Sequence, residues 1–585
     1  METTQQRWQH IPALAIPSPV LAIATRGEEL WAGGTGGIAH TTNISNTSNI
    51  SNTVHTTTNR DWYSHLAGLP LTSVSTLEII EGRIFAGGVE GIAFSLDGGT
   101  TWEAAKLTEG LASIMAIVAS PRFAQDHTLL AATLETGILR SEDGGVTWKS
   151  VNFGLQSLEV NALLWLEGET VLAATSDGLH RSTNSGRAWR FVRNSEEFSF
   201  ISLIANPDQT LLAASETEGL FLSDDYGATW ESYGELSTEA EITGLWRTAS
   251  ATLLVATSNQ GLLRSQDDGQ TWEEVQMATV LSLTASQHAL FIGTTNGVFI
   301  SQDDGQTWSV LPHPPVHDLH NLLVADGTIY LSGLHMGMWK FAEGEWKALS
   351  DIPYPLTAVL PGPDTSFFIS SLQGLQRTTD GGKTWQTVIT GEPGNISQMA
   401  FRADGRIGCA GSGDGTYLYR TQDGGKSWQP LTAPFGILPL SSLLVTKDSF
   451  IAVCYDPRQL NAHVWRSRDN GKNWKHELDG QTNWPLVTTY DQPPLLTMAD
   501  SLLLQEVPGL WKQVTLGQGG IRRIVGNGTI LLALTTQSLL QSHDHGLTWE
   551  KASQEISIND ILDLALTPQL LYLLLTDGRV LVKEL

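Results

Sequence analysis

Two sets of side chains in this sequence could do chemistry: aspartates that recur in one fixed setting, and a loose group of histidines. SLDGGTTW begins at Ser95, SEDGGVTW at Ser141, SDDYGATW at Ser223, and SQDDGQTW at both Ser265 and Ser301. TTDGGKTW follows at Thr378, TQDGGKSW at Thr421, SRDNGKNW at Ser467 and SHDHGLTW at Ser542, while STNSGRAW at Ser182 carries Asn184 in place of the acid. A carboxylate repeated in this way could serve as an acid, a base or a ligand, but its neighbours point to another role. An Asp two residues before a Gly in a tight hairpin accepts backbone N–H bonds of its own turn, and the Gly takes a backbone angle other residues resist. Asp97, Asp143, Asp225, Asp267, Asp303, Asp380, Asp423, Asp469 and Asp544 are therefore read as turn residues, outside any catalytic set.

Two acids fall outside that pattern on loop-like segments, Asp414 in GSGDGTYLYR and Asp456 in CYDPRQ. They are the binding candidates, with a solvated turn as the plain alternative for each. A glycosidase needs two carboxylates about 5–5.5 Å apart for retention or about 6.5–9.5 Å for inversion, a separation only the fold sets. His313, His317 and His320, with His335 nearby, have spacings within reach of one metal, yet no Cys or carboxylate follows at a diagnostic interval. A loop with scattered histidines is the competing reading, and no cofactor is expected. Cys409 and Cys454 are 45 residues apart without metal-type spacing and read as buried strand residues.

The elements that carry these residues follow from the repeat. Around each Asp motif run four short segments rich in Val, Ile, Leu and Thr, as in NALLWL, TVLAAT, GLHRS and WRFV, bounded by Gly, Asp or Ser. Such runs are antiparallel strands, and no segment has a helical period. Four strands per roughly 40 residues is the signature of a β-propeller. The closing tryptophans and their degenerate equivalents are Trp8, Trp62, Trp102, Trp148, Trp189, Trp230, Trp272, Trp308, Trp346, Trp385, Trp428, Trp474, Trp511 and Trp549. The fold class is all-β, a tandem propeller of about fourteen four-stranded blades in two seven-bladed rings.

At the amino end a single strand carries Trp8, and at the carboxyl end three strands follow Trp549 without a fourth. Pairing the two ends completes a blade and removes exposed edges. The expected division is residues 1–277 plus 557–585 as one ring and 278–556 as the other. A simple tandem split near Leu311 to Val316, at LPHPPVHD, is the rival.

The Asp motif resembles the Asp-box (BNR) repeats of sialidases, sortilin-type receptors, family 74 glycoside hydrolases and photosystem II assembly propellers. The resemblance to family 74 implies a carboxylate in an early Arg-Thr-Asp-x-Gly-Gly segment, but here GIAHTTNISNTSN puts His40 and Asn43 there. A sialidase needs an Arg-Ile-Pro motif, which only PRF at Pro121 to Phe123 approaches. An assembly propeller implies a basic face, which the acidic composition opposes.

Lys and Arg total 34 against 61 Asp and Glu, so a formal charge of −27 repels a phosphate backbone and nucleic acid is excluded as a partner. No apolar stretch reaches membrane length, and the start METTQQRWQHIPALAIPSPV has no basic and then apolar leader pattern. A cytoplasmic monomer is the expectation. The Asn, Ser and Thr tract from Thr41 to Thr58 reads as a hairpin tip. With abundant scaffold and no readable catalytic set, the leading expectation is a non-catalytic binding or scaffold propeller. It would recognise a protein or a glycan through ring-mouth and inter-ring loops. A polysaccharide hydrolase of the two-propeller type is the alternative.

Overall fold

The computed structural model describes residues 8–11, 18–42, 62–64, 69–108, 110–195, 198–234, 236, 240–276, 278–313, 318–333, 336–350, 352, 355–391, 395–433, 435–436, 438–459, 461–480, 487–488, 495–498, 501–507, 510–527, 529–552, 556–576 and 578–585. They form fourteen β-sheets, twelve of them four consecutive strands paired in chain order. In the other two, Lys106–Leu107 adds a parallel edge strand to the sheet ending at Thr147–Ser150, and the amino-terminal strand completes the last sheet. Among the described residues no helix is long and apolar enough to cross a membrane.

The chain forms two compact units, Ala15–His317 and Met1–Leu14 with Asp318–Leu585, and each holds seven blades. Gln9–Ile11 pairs antiparallel with Val580–Glu584, in the register Gln9 to Val582 and Ile11 to Val580. The termini therefore share one blade as expected, but the ring around them differs from the expected 1–277 plus 557–585. The strand Ile561–Leu566 neighbours Leu319–Ala325, so the carboxyl-terminal half closes on itself and takes only the first strand from the amino end. In the other unit Val280–Ala285 neighbours Val20–Arg26. The seam there holds Val20, Ile23 and Leu30 against Phe291, Val298 and Ile300, with Trp62 packed on the cluster. Trp62 Nε1 donates to Pro312 O at 2.8 Å, and Thr25 Oγ1 donates to Ala285 O at 2.9 Å. The boundary thus falls where LPHPPVHD suggested a linker, and not at residues 277 and 556.

Residue pattern explains the blade. Second strands such as Leu129–Thr133, Val171–Thr175, Leu211–Ser215 and Leu253–Thr257 are buried at every position, because neighbouring blades cover both faces. This is why they read as continuous apolar runs of Leu, Val and Ala instead of alternating. Nearly every first strand carries a bulge after its first residue, as between Val160 and Ala162 or Ile561 and Asp563, which bends it beside the ring axis.

The Asp-box joins one blade to the next. In the Ser141 box the Ser141 hydroxyl donates to Asp143 at 2.8 Å and receives Gly145 N at 2.9 Å. Asp143 also accepts Thr147 N at 2.9 Å and the Thr147 hydroxyl at 2.6 Å, and Trp148 Nε1 donates to Gly145 O at 2.8 Å. The serine, aspartate, threonine and tryptophan side chains of the turn thus bond one another's backbone and hydroxyl groups within eight residues, while Gly144 N donates outward to His127 O at 3.0 Å. Asn184 does the same work in its box, accepting Ser182 Oγ at 2.8 Å and Ala188 N at 3.0 Å, so the turn needs an acceptor and not a charge.

Gly145 has φ +95°, and a Cβ there would come within 2.3 Å of Phe85 in the preceding blade. Gly186 stands in the same relation to Leu130, at 2.7 Å. Trp148 then fills the gap between those blades beside Phe85, Phe94 and Ile114. At about 25 cal/mol per Å2, the 150–250 Å2 buried by such a ring is worth roughly 4–6 kcal/mol before ordering costs. Trp8 packs on Leu532 and Leu573 in the same fashion, which makes it the joint residue of the last blade.

Gly145→Ala should destabilise by about 2–4 kcal/mol, from left-handed strain plus overpacking against Phe85. Gly327→Ala, where φ is +70° but nothing lies within 4 Å, should cost only the strain; urea melts of the two variants compare the terms. The hydrogen bonds also set a pH response. The Thr101 backbone N–H holds Asp97 down to about 2, and the Thr271 hydroxyl does the same for Asp267. A depressed carboxyl contributes stability above its unfolded value near 4 and loses it as pH falls through the folded one. Thermal midpoints should therefore be insensitive to these groups above about pH 4 and drop between about pH 4 and 2.

Candidate functional site

The up-and-down order of each blade sorts its turns between two ends. The beginning of the first strand, the turn between second and third strands and the connection to the next blade share one end, the mouth. The Asp-boxes, between third and fourth strands, lie at the other. The nine box aspartates are thus remote from the mouth and spent on their own turns.

At the mouth, the second and third residues of the first strands differ between the units. In Ala15–His317 they are Leu21 and Ala22, Ser75 and Thr76, Met115 and Ala116, Asn161 and Ala162, Ile201 and Ser202, Thr243 and Gly244, Leu281 and Ser282, all uncharged. In the other unit these places include Asn321, Ser397, Gln398, Ser441, Ser442, Arg522, Arg523 and Asp563. Arg522 is exposed but anchored, donating to Ile561 O at 3.0 Å, and Arg523 is exposed with Nε 3.2 Å from Asp563 Oδ1. Asp563 is buried, accepting Leu322 N at 3.1 Å and Leu564 N at 2.8 Å. It ties three blades together across the ring's closing seam. Burial pushes its carboxyl up, against the opposing pull of Arg523.

Asp414 and Asp456 both sit at this mouth, in second-to-third-strand turns of adjacent blades. Asp414 accepts Thr416 N and the Thr416 hydroxyl, each at 2.9 Å, and Asp456 accepts Arg458 N at 2.8 Å. Each caps its own turn. His313 follows the last blade of the Ala15–His317 unit, its ring packed over Gly297, and burial lowers its pKa. His320 lies in the strand Leu319–Ala325 of the other unit. His317, His335 and most of the Thr41 to Thr58 tract lie outside the described residues. Cys409 and Cys454 are free thiols fully buried in one cluster, and burial raises both.

Three features escaped the sequence. Glu78 occupies the first-strand position that holds Val118, Leu164 and Ile204 in later blades, in register with Phe85. Burial alone pushes it up to about 7, and among the described residues no donor reaches it. It hides inside the apolar run TLEII. The second feature lies on the outer hairpin of the blade spanning residues 440–480, a concavity of ≈ 630 Å3 bordered by Trp474, Lys475 and His476. Beneath it Arg466 is buried, bonded to Glu477 at 2.5 Å, Ser449 at 2.6 Å and Gln505 of the next blade at 2.7 Å. The third is a cluster of His463, His476 and Asp479, which alone among the described residues groups three metal-capable side chains. Hydrogen bonding from the His463 ring lowers the Asp479 carboxyl below its usual range. The box at Ser467 fixes this hairpin's register, so the residues four before and twelve after Ser467, His463 and Asp479, stand opposite each other. That spacing was the signal available.

No protein-family model matches the sequence, and no curated protein sequence matches it. Solved structures do. A GH74 xyloglucanase from Xanthomonas campestris is similar over 99% of this chain and 100% of its own, at 13% identity and TM-score 0.66. A GH74 enzyme of Niastella koreensis is similar over 99% of both chains at 15% identity and TM-score 0.63, and an ancestral GH74 enzyme over 98% of both at 12% and 0.52. At these identities the likeness shows the fold, a tandem β-propeller, which here carries Asp-box turns.

Glu78→Leu tests the buried acid. A carboxyl raised from 4.5 to about 7 leaves the native state fully favoured below about pH 4.5 and progressively less so as pH rises through 7. The variant should therefore gain stability over wild type at pH 8, on the order of 3 kcal/mol, and lose that advantage at pH 4.5, read from denaturant melts at both.

Proposed function

Taking a BNR-type propeller as the premise, we propose that this chain is a non-catalytic binding protein that recognises an anionic group of a protein or glycan at the mouth of the 318–585 ring. The observation that carries this reading is the pair Arg522 and Arg523, exposed side by side at the start of one first strand. Backbone carbonyls hold the first and Asp563 steadies the second, so both guanidinium groups are set in place before a ligand arrives. Spare N–H donors on two fixed guanidinium groups suit a carboxylate, which they bind in paired fashion. Gln398, at the corresponding first-strand position of another blade of the same ring, adds a neutral donor and acceptor. The acids at the same mouth are engaged already: Asp414 and Asp456 in their turns, Asp563 in the seam.

One observation favours the hydrolase instead. Glu78, at about 7, has the raised pKa of a general acid, and the GH74 structures share the fold. A second carboxylate interacting with Glu78 is absent among the described residues, and the binding reading is preferred on that ground.

Arrays of acidic glycans and of peptides with free carboxylates should give specific binders of the wild-type protein. Arg522→Ala and Arg523→Ala should weaken them more than about tenfold, as loss of a charge-assisted contact requires. Lys383→Ala, on a box turn, should leave them unchanged. Binding indifferent to both arginines would sink the proposal, and reducing-sugar release from xyloglucan that vanishes in Glu78→Gln would replace it with the hydrolase.

A further inference from the structure

The outer hairpin of the 440–480 blade brings two imidazoles onto one carboxylate oxygen. His463 Nδ1 lies 2.6 Å and His476 Nε2 2.7 Å from Asp479 Oδ1, and the ligand atoms of all three lie within 4.8 Å of one another. Strand pairing builds this group. His463 stands opposite Asp479, Trp465 opposite His476, and a bulge between Val464 and Trp465 adds the residue that turns His476 toward the other two. The imidazole rings are 5.8 Å apart, and the edge of Trp465 backs His476 at 5.2 Å.

We propose that His463, His476 and Asp479 form a binding site for a divalent zinc-type cation. The donor set is the reason. Two neutral imidazole nitrogens and one carboxylate oxygen are the ligands that borderline ions such as Zn2+ take in three-coordinate protein sites, with a further position left for water. The absence of thiolate from the group argues against soft ions, and a single carboxylate is too little oxygen for Ca2+ or Mg2+.

Bond lengths of about 2.0–2.2 Å put ligand atoms about 3.3 Å apart around a tetrahedral ion. The present 2.6 and 2.7 Å hydrogen bonds therefore need to open by only about 0.6 Å, and the two more exposed side chains can make that movement. Side-chain exposure is 39% for His476 and 57% for Asp479 but 17% for His463, so one ligand is a fixed wall and two can adjust. Both imidazoles give up the N–H they now donate to Asp479, each moving its proton to the other ring nitrogen, so a neutral pair takes the ion without net proton loss.

Calorimetric titration of the full chain with ZnCl2 is expected to show one equivalent bound. His476→Ala and Asp479→Asn should each lower the affinity by more than the roughly tenfold that losing an outer hydrogen-bond partner costs a zinc site. His543→Ala, on a different blade, should not. Because His476 and Asp479 are exposed, both variants should melt with the wild type in the absence of metal, separating loss of binding from loss of fold. Co2+ in place of Zn2+ should give visible d–d absorption of tetrahedral strength in the wild type and lose it in both variants. Failure of the wild type to bind, or equal affinity in all four proteins, would mean that the three side chains are only a hydrogen-bonded corner of the hairpin.

Discussion

A sheet whose second strand is apolar on both faces cannot stand alone in water. Leu130 and Ala132 point into one neighbouring blade and Leu129 and Ala131 into the other. Each blade is thus stable only between two others, and the array is stable only when it returns to its start. Everything regular in the molecule follows from that condition. The box glycine lets one blade approach the next, the box tryptophan fills the wedge between them, and the aspartate keeps the turn that carries both from opening.

The two rings meet the condition by different means. In the Asp318–Leu585 unit a borrowed strand, Gln9–Ile11, hydrogen-bonds into the final blade, and Asp563 reaches from that blade to Leu322 of the first. In the Ala15–His317 unit no strand of the described residues crosses the seam, and the packing of Val20, Leu30 and Trp62 on Phe291 does the work. The difference extends inward. The ring closed by backbone pairing has charged residues at these mouth positions, whereas the ring closed by side-chain packing has uncharged ones, with Glu78 standing deeper in the strand. The proposed binding belongs to the former, where Arg522 and Arg523 are both held in place.

Much of this was legible in the sequence, and the limits have a physical cause. Boxes are local, so their eight residues reveal the blade, its turn and its tryptophan without any knowledge of the rest. The missing fourth strand after DILDLAL, LLYLLL and RVLVKEL pointed to Gln9–Ile11 for the same reason, since an unpaired edge is visible in a count. Which blade follows which around a circle is not local. Trp62 packs against Phe291, more than two hundred residues away, and nothing in the motif around Trp62 names that partner. The candidate site was legible only in its negatives. Asp414 and Asp456 could be doubted from their Gly and Pro neighbours, but Arg522, Arg523 and Asp563 gain meaning only when first strands from distant blades gather around one axis. His476 is brought to His463 and Asp479 by a one-residue bulge, which composition does not announce.

The order in which the chain leaves the ribosome bears on the borrowed strand. Residues 15–317 contain all seven blades of their ring and can close as soon as they are clear of the exit tunnel. Gln9–Ile11, made before any of them, must wait for Val580–Glu584, which emerges after every other strand of its ring. Until then that strand is an unpaired edge, and its ring cannot lock before Val580–Glu584 has been made.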